Sequence, residues 1–248
     1  MFEPLARPPL VEAICEFRFE PSEQWDLTVP GRLYDLIRDD FPHREQVQGF
    51  GFSLQVGQGA GAPVPTVQGG LDRVLMARED GSVLVQTGPH LLVVNHKLPY
   101  PGWEDFRALI SRVLETYLDL VPSSFERVGL RYINQIPLPV AEGLEIGSLI
   151  TLDPPIPPEM ERPLANFYQR YELRHDDPIG ILIHQTGMQL TQENDTVLML
   201  DLDFGSLPEA LPGTEDADAW LPSAHDRIEE AFRASVNPEF LDRMKRGD

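Results

Sequence analysis

Over residues 11–20 apolar and polar residues alternate strictly, with Val11, Ala13, Cys15, Phe17 and Phe19 on one side and Glu12, Glu16, Arg18 and Glu20 dominating the other. Successive side chains of a strand point to opposite faces, so such a run is suited to one face on a core and the other among polar surroundings. The same period returns in residues 46–56, 73–78, 82–87 and 90–96, and again in 127–136, 167–175, 180–190 and 196–204. Asp80-Gly81 and Gly88-Pro89 supply turn residues between the short members of the first group, which predicts a meander. A chain built mostly of half-buried strands folds into antiparallel sheet.

Three segments follow a helical period instead. Residues 30–41 open on a proline suited to a first helical turn, carry Leu33, Leu36, Ile37 and Phe41 on one stripe, and stop at Pro42. Residues 103–120 place Phe106, Leu109, Ile110, Val113, Leu114, Tyr117 and Leu118 at i, i+3 and i+4, the stripe of a helix lying on a sheet. A last helix is predicted over 223–235, with Ile228, Ala231 and Phe232 on its apolar side. The glycine-rich residues 57–63, the proline-rich 153–158 and the acidic 209–218 read as loops.

The predicted order is strand, helix, four strands, helix, then strand, three strands, helix. It implies an α+β fold of two approximately repeated halves, residues 1–123 and 124–248, each a curved antiparallel sheet covered by helices, as in a saddle or a helix-grip pocket. The alternative is one continuous domain of the same content. No repeat of residue identities accompanies the order.

Charge narrows the partners. Forty acidic against twenty basic residues give a net charge of −20, a field that repels phosphates, so direct nucleic-acid binding is excluded. The two halves carry 10 − 17 = −7 and 10 − 23 = −13, so neither offers a basic saddle. No stretch approaches the roughly 18 apolar residues of a membrane span, and the first residues lack the basic and apolar regions of a signal peptide. Cys15 is the only cysteine, which excludes an internal disulfide or a cysteine-based zinc cluster. A cytoplasmic protein with no membrane partner is expected.

Asp201 and Asp203 share one face of a strand, where two carboxylates can hold a hard cation, and Glu193 and Asp195 lie just upstream. The other reading of the same alternation is that Leu198, Leu200, Leu202 and Phe204 face the core while the aspartates face water. His90, His96, His175, His184 and His225 are scattered without metal-ligand spacing. No nucleophile elbow, phosphate loop or dinucleotide fingerprint occurs, so neither a catalytic residue nor a cofactor is predicted.

Binding residues are easier to name. In residues 127–136, Arg131 and Gln135 share a polar face and Asn134 interrupts the apolar one. A guanidinium there suits a small anionic ligand, and the alternative is an ion pair with one of the many carboxylates. Glu215, Asp216 and Asp218, with Trp220 beside them and Glu229 and Glu230 on the last helix, form an acidic surface that would capture a basic protein partner. An open sheet edge leaves scope for a homodimer.

Arg7-Pro8-Pro9-Leu10-Val11-Glu12-Ala13, Gln86-Thr87-Gly88 and Gly129-Leu130-Arg131-Tyr132-Ile133-Asn134 resemble motifs of a sporadically distributed family of bacterial proteins of about this length. The resemblance implies a cytosolic bacterial protein and, through the patchy distribution, a place among mobile or defence-associated genes. It brings no catalytic residues. The expectation is a non-enzymatic protein-interaction module, for instance a partner of a toxin or effector. A small-molecule pocket between sheet and helix is the alternative, and metal-dependent phosphoester hydrolysis a third.

Overall fold

The computed structural model describes residues 5–50, 69–138, 146–151, 166–190 and 196–247. Within them the order is β1 (Leu10–Phe19), α1 (Val29–Ile37), β2 (His43–Phe50), β3 (Gly69–Ala77), β4 (Val83–Gly88), β5 (Leu91–Lys97), α2 (Trp103–Leu120) and β6 (Phe125–Pro137). Then come β7 (Tyr168–Asp176), β8 (Ile179–Leu190), β9 (Thr196–Ser206), α3 (Ala217–Ser235) and α4 (Pro238–Arg246). Phe52, Leu54, Val56, the residues 57–63 and 153–158 for which loops are expected, Glu193 and Asp195 lie outside the described residues.

The alternation read from the sequence produces one nine-stranded antiparallel sheet in the order β2-β3-β4-β5-β1-β6-β9-β8-β7. β1 and β6 lie side by side at its centre, with Cys15 opposite Leu130. From β1 the chain passes through α1 to the far edge at β2 and returns strand by strand, and β7, β8 and β9 return to β6 in the same way.

One face of the sheet is the core. Ala13, Cys15, Phe17 and Phe19 of β1 join Val128 and Leu130 of β6, Leu200, Leu202 and Phe204 of β9, and Leu92 and Val94 of β5 in a single cluster with Val29, Leu33 and Ile37 of α1 and the apolar stripes of α2 and α3, whereas Leu36, which its spacing placed on the α1 stripe, is 60% exposed. The rings of Phe17, Phe19, Phe125 and Tyr117 stack through its middle, Phe19 and Tyr117 4.8 Å apart. Each such side chain contributes on the order of 2 kcal/mol by leaving water. α2 lies on β5 and α3 on β6 and β9, so the opposite face carries no described helix. None of the described helices is long and apolar enough to cross a membrane.

Three helical features depart from the sequence reading. α1 ends at Ile37, short of the expected Phe41. α3 starts at Ala217, not near residue 223, and carries Pro222 within it. α4 lies where the sequence reading predicts no element. Its Asn237 side chain accepts from the Glu239 N–H at 3.0 Å, Pro238 opens the helix and Gly247 closes it at φ 80. These are the ordinary signals of a short capped helix.

Candidate interaction surface

Pro222 has no N–H, so the carbonyl four residues before it, that of Asp218, loses its helical donor. Arg107 of α2 supplies one, its guanidinium nitrogen lying 3.2 Å from the Asp218 carbonyl oxygen. The Asp218 carboxylate in turn accepts from the Ser111 hydroxyl of α2. The first turns of α3 are thereby tied to α2, leaving a hollow of about 180 Å³ between them. Leu114 and Leu118 give it apolar lining, and Glu115, Glu215 and Asp218 bring carboxylates, all three exposed. An apolar wall beside several carboxylates suits the stem and head of an arginine or lysine side chain.

The acidic surface read from the sequence is therefore redrawn. Glu215 and Asp218 line the hollow, Asp216 occupies the exposed position before α3, and Glu115 of α2 joins them. Glu229 and Glu230 are instead paired along α3, with Arg233 at 2.6 Å and Arg227 at 2.9 Å. Trp220 is not available to a partner. It is 7% exposed and packs beside Phe204 with ring centroids 5.9 Å apart, because it points down the helix face that covers the sheet.

The face of the sheet away from the helices carries Arg131, Asp201 and Asp203, joined into a charge-compensated network. Arg131 holds Asp201 through two hydrogen bonds, Nε to Oδ1 at 2.8 Å and the terminal nitrogen to Oδ2 at 2.5 Å. The Gln185 amide adds a third to Oδ2 at 3.1 Å. Asp201 is only 2% exposed, not facing water as its alternation allowed. Arg127 bridges Glu16 and Asp203, each at 3.1 Å, and its guanidinium lies over the floor made by Gly129 and Gly205, which face each other across β6 and β9. Burial raises the Asp203 carboxyl above its ordinary pKa, with Arg127 and Arg131 opposing the rise. Guanidinium groups occupy the surroundings of both aspartates, so these carboxylates are already neutralised. Among the described residues no group of three or more metal-ligating side chains forms.

Asn134 is buried and donates from Nδ2 to the Leu200 carbonyl at 3.1 Å. The Gln135 N–H donates to the Pro9 carbonyl at 2.9 Å. Arg131 and Asn134 thus hold β9, and Gln135 holds the chain leading into β1.

The five histidines named above take part in packing or hydrogen bonds, and the exposed His43 pairs with Glu79. His225 stacks on Trp103 at 4.3 Å, and its Nδ1 lies 3.0 Å from the Tyr132 hydroxyl, which is 3.1 Å from that of Tyr100. Burial lowers His225 to about 4 and raises both tyrosines. The Ser235 hydroxyl donates to the Ala231 carbonyl, so His184 Nε2, 2.8 Å away, is the donor to that hydroxyl. Burial lowers the His184 pKa as well. His96 Nδ1 lies 2.7 Å from the Lys97 carbonyl. The His175 ring meets Phe204 edge-on, and that of His90, at φ 58, lies near Trp25.

A second and larger hollow, about 570 Å³, opens between the start of α1, β2, β3 and the turn before β5. Trp25, Leu27, Pro30, Val74 and Pro89 line it together with Arg44 and Arg73. Trp25 Nε1 and Arg73 Nε are buried with no hydrogen-bond partner. The residues at this hollow lie far apart in sequence, and only the return of β2 and β3 beside α1 assembles them.

Scanned against protein-family models, the chain matches none, and a search of the curated proteins finds no relative.

Proposed function

We propose that the protein is a non-enzymatic interaction module that takes a basic segment of a protein partner into the hollow between α2 and α3. The observation carrying this reading is the arrangement of Glu115, Glu215 and Asp218 around the Leu114 and Leu118 side chains, where a helix of the first half meets the half that holds −13 of the −20 charge. A carboxylate-rimmed hollow with an apolar wall orients a long basic side chain, while the surrounding field raises the association rate. In this account the partner is a basic protein, a toxin or effector encoded beside it in a bacterial defence-type locus, and the module works in the cytoplasm. Residues 1–123 and 124–248 are two versions of one saddle-like half; the shared pattern of a central first strand followed by an edge-to-centre return supports this.

The test is affinity capture from the native host with the wild-type protein and with Glu115→Gln/Glu215→Gln. The reading expects a basic partner that is held at low salt, lost at high salt, and weakly held by the variant. Equal capture by both proteins contradicts it.

The 570 Å³ hollow beside α1 favours a second reading, a small-molecule site between sheet and helix. Its size falls within the roughly 300–1,000 Å³ of ligand sites, and its unpartnered Trp25 and Arg73 donors call for an acceptor. Native mass spectrometry of the purified protein tests it: a retained anionic molecule, lost in Arg73→Ala, supports the site, and a bare mass in the wild type counts against it.

A further inference from the structure

β7 is the outermost strand of the sheet, and among the described residues no strand pairs with its outer edge. Which backbone groups it leaves open follows from its register. The Met188 N–H donates to the Phe167 carbonyl at 3.2 Å, and because Tyr168 stands opposite Gly187, these two residues are themselves directly opposed. Opposed residues of antiparallel strands alternate between pairs that exchange hydrogen bonds and pairs that do not. The odd-numbered residues of β7 therefore direct their N–H and C=O groups at β8. Arg170, Glu172, Arg174 and Asp176 direct theirs outward.

The side chains of those four alternate in sign along the uncovered face, two basic and two acidic, which makes the strand electrically neutral on a chain of net charge −20. On its other face Tyr171 is 41% and Leu173 48% exposed. Its pairing with β8 shows no bulge and the strand contains no proline, so two common protections of an edge strand are missing.

We propose that β7 pairs antiparallel with β7 of a second copy of this chain, about a two-fold axis through Leu173. This register sets Arg170 opposite Asp176 of the second copy and Glu172 opposite its Arg174, and the symmetry repeats both pairs. Leu173 meets Leu173, and Tyr171 meets His175. The neighbouring registers lack this complementarity. Centring on Glu172 sets Glu172 against itself and Arg170 against Arg174. Centring on Arg174 sets Arg174 against itself and Glu172 against Asp176. Centring on Tyr171 leaves Asp176 unpaired and Arg174 against Tyr168. Opposite charges directly across a strand pair stabilise it and like charges oppose it, so sequence alone selects the Leu173 register. The outward groups of the four charged residues all find partners in it. This inference is independent of the acidic hollow, which lies on other elements.

The experiment reads both association and register. Sedimentation and light scattering of the wild-type protein should give a species of twice 28.0 kDa. Glu172→Arg should weaken the dimer about tenfold or more by setting two arginines against each other, and Glu172→Arg/Arg174→Glu should restore it. Leu173 pairs with itself at a non-hydrogen-bonded position, where Cα atoms lie about 4.5 Å apart and a disulfide can close. Leu173→Cys should thus cross-link under mild oxidation, while Tyr171→Cys should not; the native Cys15 is fully buried and does not compete. A monomer at every concentration up to the solubility limit, or cross-linking at Tyr171→Cys in preference to Leu173→Cys, overturns the proposal. Both cysteine sites are well exposed in the single chain, so neither variant endangers the fold.

Discussion

Arg107 donates to the backbone carbonyl oxygen of Asp218 at 3.2 Å, the oxygen that Pro222 deprives of its helical partner. A proline inside a helix usually kinks or ends it. Here a cation from the neighbouring helix replaces the missing donor, which lets α3 run from Ala217 and fixes the width of the acidic hollow. Arg107→Ala is expected to cost about 1–2 kcal/mol. Amide exchange should rise in the first turns of α3 while α2 and the central strands stay protected, and uniform exchange changes would count against a local tie.

Asp201 is the most deeply buried carboxylate of the uncovered face and Arg131 is its guanidinium partner. Removing one member of such a pair leaves a charge in a poor environment, so Arg131→Ala should destabilise the protein by about 3 kcal/mol in urea unfolding. Arg131→Met/Asp201→Leu should recover most of that loss, because an apolar pair of similar volume needs no compensation. A stable, fully folded Arg131→Ala protein would instead return Arg131 to the role of a ligand anchor.

Two glycines of the sheet should differ in what they tolerate. A Cβ at Gly205 would come 2.6 Å from the Arg127 guanidinium, whereas one at Gly180 would come 2.7 Å from the Gly205 carbonyl and the buried Phe204 ring. A side-chain end can shift at the expense of its bonds to Glu16 and Asp203, but backbone and a packed ring cannot. Gly180→Ala is therefore expected to lower stability by about 2–3 kcal/mol and Gly205→Ala by about 1 kcal/mol, and thermal unfolding ranks the two.

His225 makes stability depend on acid. Burial holds its folded pKa at about 4, below the ordinary value of about 6.5, so between these pH values the unfolded chain binds more protons. Its contribution is complete above about pH 6.5 and is lost as the pH falls toward 4, a change on the order of 3 kcal/mol. His225 faces Trp103 and Tyr132, with Asp226 the nearby charge that partly opposes the effect. Comparing wild type with His225→Phe at pH 7 and pH 5 isolates the contribution of His225. The wild type should lose more stability than the variant on acidification.

The strands were legible because period-two alternation belongs to a sheet with one buried face, and α2 was legible because its apolar stripe spans Phe106 to Leu118. The start of α3 was hidden by Pro222, whose usual effect on a helix is cancelled by an arginine more than one hundred positions earlier. α4 is short and largely charged, so its only signals were Asn237, Pro238 and Gly247. For the site, Glu215 and Asp218 stood out as an acidic run, but Glu115 did not, since on its own helix it reads as an ordinary solvent-facing residue. Trp220 was misplaced because its neighbours are acidic while its own side chain follows the core face of α3. The partner of Arg131 was named only as a class, because the strand geometry gives the side-chain face and not the strand that will lie beside it.

Calorimetric titration with an arginine-rich peptide tests the interaction reading most directly, with two variants of equal net charge in parallel. Glu115→Gln/Glu215→Gln removes two carboxylates from the hollow, and Glu20→Gln/Glu23→Gln removes two exposed carboxylates elsewhere. The account predicts saturable, salt-sensitive binding that the first variant weakens about tenfold or more, as expected for losing two close charge pairs, and that the second leaves near the wild-type value. Equal weakening by both variants would mean that the peptide senses only the overall field, and would contradict a built site between α2 and α3.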